Sequence, residues 1–171
     1  RLAVGGIRTV VLDITGQYER LLNCAQCSRY VQRVLLEKVS KVPNQLHLEG
    51  SDKVGNVKAF KEAFKVLLRK LLTCPYQVCV LNPNDLSLTQ QGRVYNKPVV
   101  VAMTLAEITA VITETCLEVL SDAMSTKARL CVVYEEAHSL IPEWNSTSYD
   151  VDQKATVRSA KAIMPGRKYG L

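Results

Sequence analysis

Apolar and polar positions alternate between two rhythms along this chain. Thr9-Val10-Val11-Leu12 is a short apolar run rich in β-branched residues, ended by Asp13 and by Gly16 soon after. It predicts a buried strand with a turn at its carboxyl end. From about Glu19 to Val39 the apolar positions Leu21, Leu22, Val31, Val34, Leu35 and Val39 predict a helix. Pro43, Asn44 and the stretch from Gly50 to Gly55 are loop signals. An amphipathic helix is predicted from about Val54 to Thr73, with Phe60, Phe64, Leu67, Leu68 and Leu71 on its apolar side and Pro75 marking its end. Gln77–Leu81, Pro98–Met103 and Leu130–Tyr134 are further strand candidates. Thr104-Leu105-Ala106-Glu107 has the form of a capping box ahead of a largely apolar helix. A last helix is predicted over Asp152–Met164, stopped by Pro165-Gly166. Nearly all-apolar strands separated by helices point to an α/β fold, a parallel sheet covered on both faces.

With 171 residues, 47% of them hydrophobic and 22% charged, the chain can bury a core, which excludes a disordered segment. Its apolar runs fall far short of the roughly 18 residues a membrane span needs. No signal peptide is visible, and a soluble, cytoplasmic protein is expected. The net charge of +6 is compatible with a polyanion partner such as nucleic acid. Lys58, Lys61, Lys65 and Arg69 recur at helical spacing, so they form either a solvated helix face or a DNA-contact stripe. Cys24 and Cys27 have the spacing of a zinc half-site or a redox pair, and Cys74 and Cys79 could complete four thiolates. Buried, free thiols are the competing expectation for the six cysteines.

The most informative segment is Leu130-Cys131-Val132-Val133-Tyr134-Glu135-Glu136-Ala137-His138. An apolar strand delivers two adjacent carboxylates at its C-terminal end, the edge where open parallel sheets bind ligands. A nucleoside triphosphatase uses such a pair, one acid for Mg²⁺ and one for the attacking water. Side chains alternate along a strand, so Glu135 can serve the metal and Glu136 the water. Acids that merely open a solvated loop are the bland alternative.

The run from Val132 to Asn145, followed by Gly166-Arg167-Lys168-Tyr169-Gly170-Leu171, resembles the HerA branch of the HerA/FtsK ATPases, RecA-like hexameric motors that pump DNA. Val11–Tyr18 resembles that family's strand ending in Asp-x-x-Gly-Glu-Tyr, with Gln17 in place of the Glu. Met103–Thr109 resembles the segment before the helix that precedes the acidic pair. The resemblance spans about residues 10 to 171, with about 40 to 97 carried only by order and open to a helical insertion.

The resemblance implies a RecA-like parallel sheet with flanking helices, residues 1–171 being an incomplete domain, the central part of an ATPase. It implies ATP and Mg²⁺ as cofactors, with Glu135 in the metal position, Glu136 in the catalytic position and Arg167 as an arginine finger reaching the neighbouring subunit's γ-phosphate. Asp13 would stand close to the nucleotide or serve the turn. Duplex DNA, a hexamer of the full-length form and a nuclease or other effector are the implied partners. Gly50–Gly55 has the glycine spacing of a phosphate loop, but Asn56-Val57 follow in place of Lys and Ser/Thr. The family's phosphate loop would lie before Arg1 and its polar sensor after Leu171, so these residues alone are not expected to hydrolyse ATP. A non-catalytic, truncated or degenerate RecA-like scaffold is the alternative.

Overall fold

A computed structural model describes residues 6–35, 51–74, 76–85, 104–122, 129–143, 145–146 and 150–171, without the side chains of 51–56, 59 and 167. Four strands form one all-parallel sheet: β1 (Arg8–Leu12), β2 (Val31–Val34), β3 (Val78–Leu81) and β4 (Leu130–Tyr134). Their order is β2-β3-β1-β4. The helices are α1 (Ser51–Thr73), α2 (Leu105–Ser121), the short α3 (Ala137–Leu140) and α4 (Asp150–Gly166). Parallel neighbours need long crossovers. The chain between β2 and β3 contains α1, and that between β3 and β4 contains α2.

Register explains why the strands read as continuous apolar runs. Val10 pairs with Cys79 and Val132, and Leu12 with Leu81 and Tyr134. These side chains share one face and pack against Phe60, Phe64, Leu68 and Leu71 of α1 and Ile108, Val111, Ile112 and Cys116 of α2. The intervening Thr9, Val11 and Val80 point to the opposite face and are buried as well, as is Val31 at the edge. A strand buried on both faces has no polar alternation to show.

α1 and α2 are also joined along their polar sides. Lys61 pairs with Glu118, Lys65 with Glu118 at 3.1 Å and Glu62 at 3.0 Å, and Arg69 with Asp122 at 3.5 Å. Burial works against the Glu118 carboxylate, yet the two ammonium groups prevail and hold its pKa below the ordinary value. Three of the four cations in the predicted stripe therefore belong to an interhelical seam.

α2 starts at the capping box expected from sequence. Thr104 Oγ1 accepts from the Glu107 N–H at 3.2 Å, and the Glu107 carboxylate accepts from the Thr104 N–H at 2.9 Å. α4 crosses α2 through small residues, with Ala155 against Ala106 and Ala110. Arg158 grips Glu114 with two parallel bonds of 2.8 and 2.6 Å. α4 runs through Pro165 to Gly166, two residues past its expected end. A proline in the last turn removes one hydrogen bond but leaves the preceding turns intact.

One predicted element is overturned. Over its described residues, up to 35, the helix expected from about Glu19 to Val39 is instead a 3-10 helix (Tyr18–Asn23), a turn, a second 3-10 helix (Ser28–Tyr30) and then β2. Val31 and Val34 suit either period, and pairing with β3 decides between them. Ser51–Gly55 is already helical, so this part of the glycine-spaced segment opens α1. The Pro98–Met103 strand candidate lies outside the described residues.

Burial raises the Cys79 thiol from 9.0 to about 12 and pushes Cys116 up further. A group that holds its proton more tightly when folded contributes stability below its unfolded pKa and loses it as pH rises through the folded one. Under reducing conditions, stability should therefore fall from about pH 9 towards 12, by at most about 1.4 kcal/mol per pH unit for each thiol. Chemical denaturation across that range should show a shallower fall in a Cys79→Val, Cys116→Ala double variant. Phe64→Ala should cost about 3–5 kcal/mol by the same measurement.

Candidate functional site

Parallel register brings the ends of β1 and β4 side by side. Leu12 pairs with Tyr134, and the ladder continues one step as the Glu135 N–H donates to the Leu12 carbonyl at 3.0 Å. Asp13 and Glu135 therefore emerge next to each other at the C-terminal edge. On the other side, the Asp13 N–H donates to the Leu81 carbonyl at 2.8 Å.

The Asp13 side chain is fully buried. Its Oδ1 accepts from the Gly16 and Gln17 N–H groups at 2.9 and 3.1 Å, and its Oδ2 from the Tyr18 N–H at 2.8 Å. A buried carboxylate is tolerated when donors surround it. These bonds fold the chain back into the 3-10 helix that starts at Tyr18. Gly16 turns at φ 77°, in the left-handed region that glycine enters at little cost. The turn role foreseen for Asp13 is thus directly visible.

The loop that Asp13 holds also presents Thr15 to Glu135. Thr15 Oγ1 donates to Glu135 Oε1 at 2.7 Å, and its N–H reaches Oε2 at 3.3 Å. Sequence reading missed Thr15, because its partner is 120 positions away. Glu135 and Thr15 offer hard oxygen atoms. Such a set fits Mg²⁺ held through one carboxylate and several waters, the usual mode for that ion. It does not make an all-protein cage, and no cluster of three or more His, Cys, Asp or Glu able to hold a metal occurs among the described residues.

Glu136 is exposed, and it is the only described non-glycine residue with positive φ, at φ 50° and ψ 53°. Left-handed backbone is uncommon for a residue with a side chain and costs on the order of 1 kcal/mol. It turns the chain sharply from β4 into α3, where the Ser139 N–H donates to the Glu136 carbonyl at 2.8 Å. The buried Leu140 anchors α3 in the core, which holds the strained corner in place. His138 Nδ1 lies 3.5 Å from Glu136 Oε2, with both groups open to solvent. Below the corner, Tyr134 is tied to α2 by a 2.8 Å hydrogen bond between its hydroxyl and that of Thr113. Burial pushes the Tyr134 phenol up to about 12, so it stays neutral there at ordinary pH.

The Gly166–Leu171 element lies at the other edge. The Gly170 carbonyl accepts from the Arg129 and Leu130 N–H groups at 2.9 and 3.2 Å, at the beginning of β4. Glu135 is five to six strand residues further on, or roughly 17–20 Å at about 3.3 Å per residue. Arg167 begins a short 3-10 helix there, and its side chain lies outside the described ones. A Cβ on Gly166 would come within 2.8 Å of Leu171 Cδ2, so glycine permits this close return.

The four-cysteine reading fails on geometry: Cys79 is buried in the helix-covered core, and Cys24 and Cys27 lie in the turn before β2. No protein-family model, curated protein or solved structure matches the chain. Among the described residues no helix is long and apolar enough to cross a membrane. What the fold defines is an α/β protein with an open parallel sheet that presents carboxylates at its C-terminal edge.

Two substitutions should separate scaffold from strain. Asp13→Asn loses charge-assisted bonds and turns an amide towards backbone N–H groups, so it should destabilise by about 2–4 kcal/mol. Glu136→Gly should instead stabilise by roughly 1 kcal/mol, because glycine accepts the left-handed corner. Urea denaturation measures both.

Proposed function

We propose that this chain is part of an ATP-driven, HerA-type motor that translocates duplex DNA, with the end of β4 as the catalytic edge. The observation that carries the reading is Glu136: an exposed carboxylate on a strained backbone corner, beside a second carboxylate held by Thr15. Strain kept against a cost on the order of 1 kcal/mol supports a functional rather than a stabilising role for this position.

In this reading Glu135, oriented by Thr15, holds the Mg²⁺ of Mg·ATP. Glu136 projects from the corner and accepts a proton from the attacking water. When bound, Mg·ATP supplies the phosphoryl group and the charge that offsets its leaving group. Asp13 acts one layer back, by setting the loop that carries Thr15. Its nucleotide role is support of that loop, since three N–H donors already occupy its carboxylate.

Arg167 is assigned to a neighbouring subunit's site. Its backbone stands at the opposite sheet edge from Glu136 of the same chain, beyond the reach of an arginine side chain. A finger in trans couples hydrolysis to ring assembly and is worth about 10³–10⁵ in rate. The motor reading thus places DNA in a ring of several copies, with contacts to phosphates that weaken as salt rises. Lys61 and Lys65 are engaged by Glu118 of α2, so Arg69 and other surfaces are more readily available for those contacts.

The scaffold alternative draws on the same Glu135–Thr15 bonds, which would also serve a purely structural edge. Activity separates the two readings. In the full-length protein Glu136→Gln should lower DNA-stimulated ATP hydrolysis at least about 100-fold while ATP binding persists. Arg167→Ala should lower it comparably. Mixing the two variants should restore part of the activity, because a mixed ring pairs an intact Glu136 with an intact Arg167. Absence of ATP binding in the full-length wild type would establish the scaffold reading instead.

A further inference from the structure

Cys24 and Cys27 take no part in the proposed catalytic edge. They sit on a tight turn between the 3-10 helix that begins under Asp13 and the edge strand β2. The Cys27 N–H donates to the Cys24 carbonyl at 2.9 Å, and the Ser28 N–H to the same oxygen at 2.8 Å. A turn closed in this way holds its first and fourth Cα atoms within about 7 Å. A disulfide needs about 4.4–6.8 Å. Both thiols are half-exposed, so the pair is reachable from solvent without unfolding the core.

The remaining thiols are differently placed. Cys79 and Cys116 are buried. Cys74 Sγ donates to the Leu71 and Tyr76 carbonyls at 3.5 and 3.3 Å. Cys131 is partly buried on β4, and desolvation raises its pKa.

We propose that Cys24 and Cys27 form a redox-active dithiol, which closes to an intramolecular disulfide by exchange with a small-molecule disulfide such as oxidised glutathione. The Cys24 thiolate attacks one sulfur of the small disulfide. A mixed disulfide forms and one glutathione thiolate leaves. The Cys27 thiol then gives its proton to solvent and attacks Cys24 Sγ, expelling the second glutathione. The protein dithiol is oxidised by two electrons and glutathione disulfide is reduced to two thiols, so the exchange balances.

The order of attack follows from the local electrostatics. A hydrogen bond from Cys27, with further ones from the backbone of Gln26 and Cys27, lowers the Cys24 pKa, whereas Cys27 is raised. The lower thiol is the nucleophile and the other resolves. Closure stiffens the segment that joins the Asp13 loop to β2, a segment also held by the 3.1 Å Arg33–Glu19 pair. The inference is independent of the ATPase reading.

The test uses the reduced full-length protein, with chelator present, incubated with oxidised glutathione near pH 7.5. Samples are then quenched, alkylated and digested with trypsin. Cleavage after Arg20 and Arg29 releases Leu21–Arg29, which contains both cysteines and no other. The expected product is this peptide lighter by two hydrogens, restored by dithiothreitol. It should form at least about tenfold faster than any modification at Cys79 or Cys116. Cys27→Ser should instead accumulate a single glutathione adduct on Cys24, and in Cys24→Ser the remaining Cys27 should react at least about tenfold more slowly than Cys24 does in Cys27→Ser. A wild-type peptide that stays reduced, or that carries two glutathiones without ring closure, would overturn the proposal.

Discussion

The carboxylate of Asp13 is the constraint on which the edge of this molecule depends. It lies at the end of the central strand, fully buried, where an unpaired charge would be prohibitive. Three backbone N–H groups from the next five residues neutralise that cost. Satisfying them forces the chain to fold back at Gly16. That turn in turn brings Thr15 over Glu135, the first residue beyond β4. One local electrostatic demand therefore sets the loop, the loop orients a distant carboxylate, and the carboxylate is half of the proposed site. The order runs this way because the Asp13 carboxylate accepts from N–H groups of its own loop, whereas the Glu135 carboxylate accepts from Thr15 across strands.

The acidic pair and Arg167, the two parts of the proposed site, are kept apart by the same architecture. β4 carries Glu135 and Glu136 upward from Leu130, and α4 returns the chain to the level of Arg129. A 17-residue helix spans about 25 Å at about 1.5 Å per residue, enough to cover that distance. Arg158 holding Glu114, and the small Ala155 lying on Ala106 and Ala110, keep α4 close to α2 as it descends. Arg129 completes the return: its Nη2 donates to the Leu120 carbonyl at 2.8 Å, satisfying a group at the end of α2. A finger placed at one edge and an acidic pair at the other cannot meet within one copy. This polarity requires assembly if both are to act on one nucleotide.

What could be read from the chain follows the range of the forces involved. β1, β3 and β4 were legible because burial on both faces leaves them largely apolar. The box at Thr104 was legible because both of its partners lie within four positions. The acidic pair was legible as a break in an apolar run. The segment from Tyr18 to Val34 was misread, since its leucines and valines fit a helical period equally well. Pairing with β3, more than forty residues later, is what turns Val31–Val34 into a strand. Thr15 carried no local mark at all. The left-handed corner at Glu136 was hidden for another reason: the residue preference at such a corner is for glycine or asparagine, and a glutamate there runs against it.

The basic stripe on α1 shows why charge alone does not identify a partner. A cation is available to a phosphate backbone only if releasing its present partner costs less than the new contact returns. Lys61 and Lys65 share Glu118, so a polyanion would have to draw two ammonium groups away from one half-exposed carboxylate. Arg69 and Asp122 are far more exposed, so their pair contributes little and is easily exchanged. A polyanion could therefore recruit Arg69 cheaply, but taking Lys61 and Lys65 would open the joint between α1 and α2 over the sheet core. The overall surplus of +6 survives these pairings, because each joins opposite charges without changing the total. Lys61, Lys65 and Arg69 are matched by Glu62, Glu118 and Asp122, so the surplus positive charge lies outside these pairs.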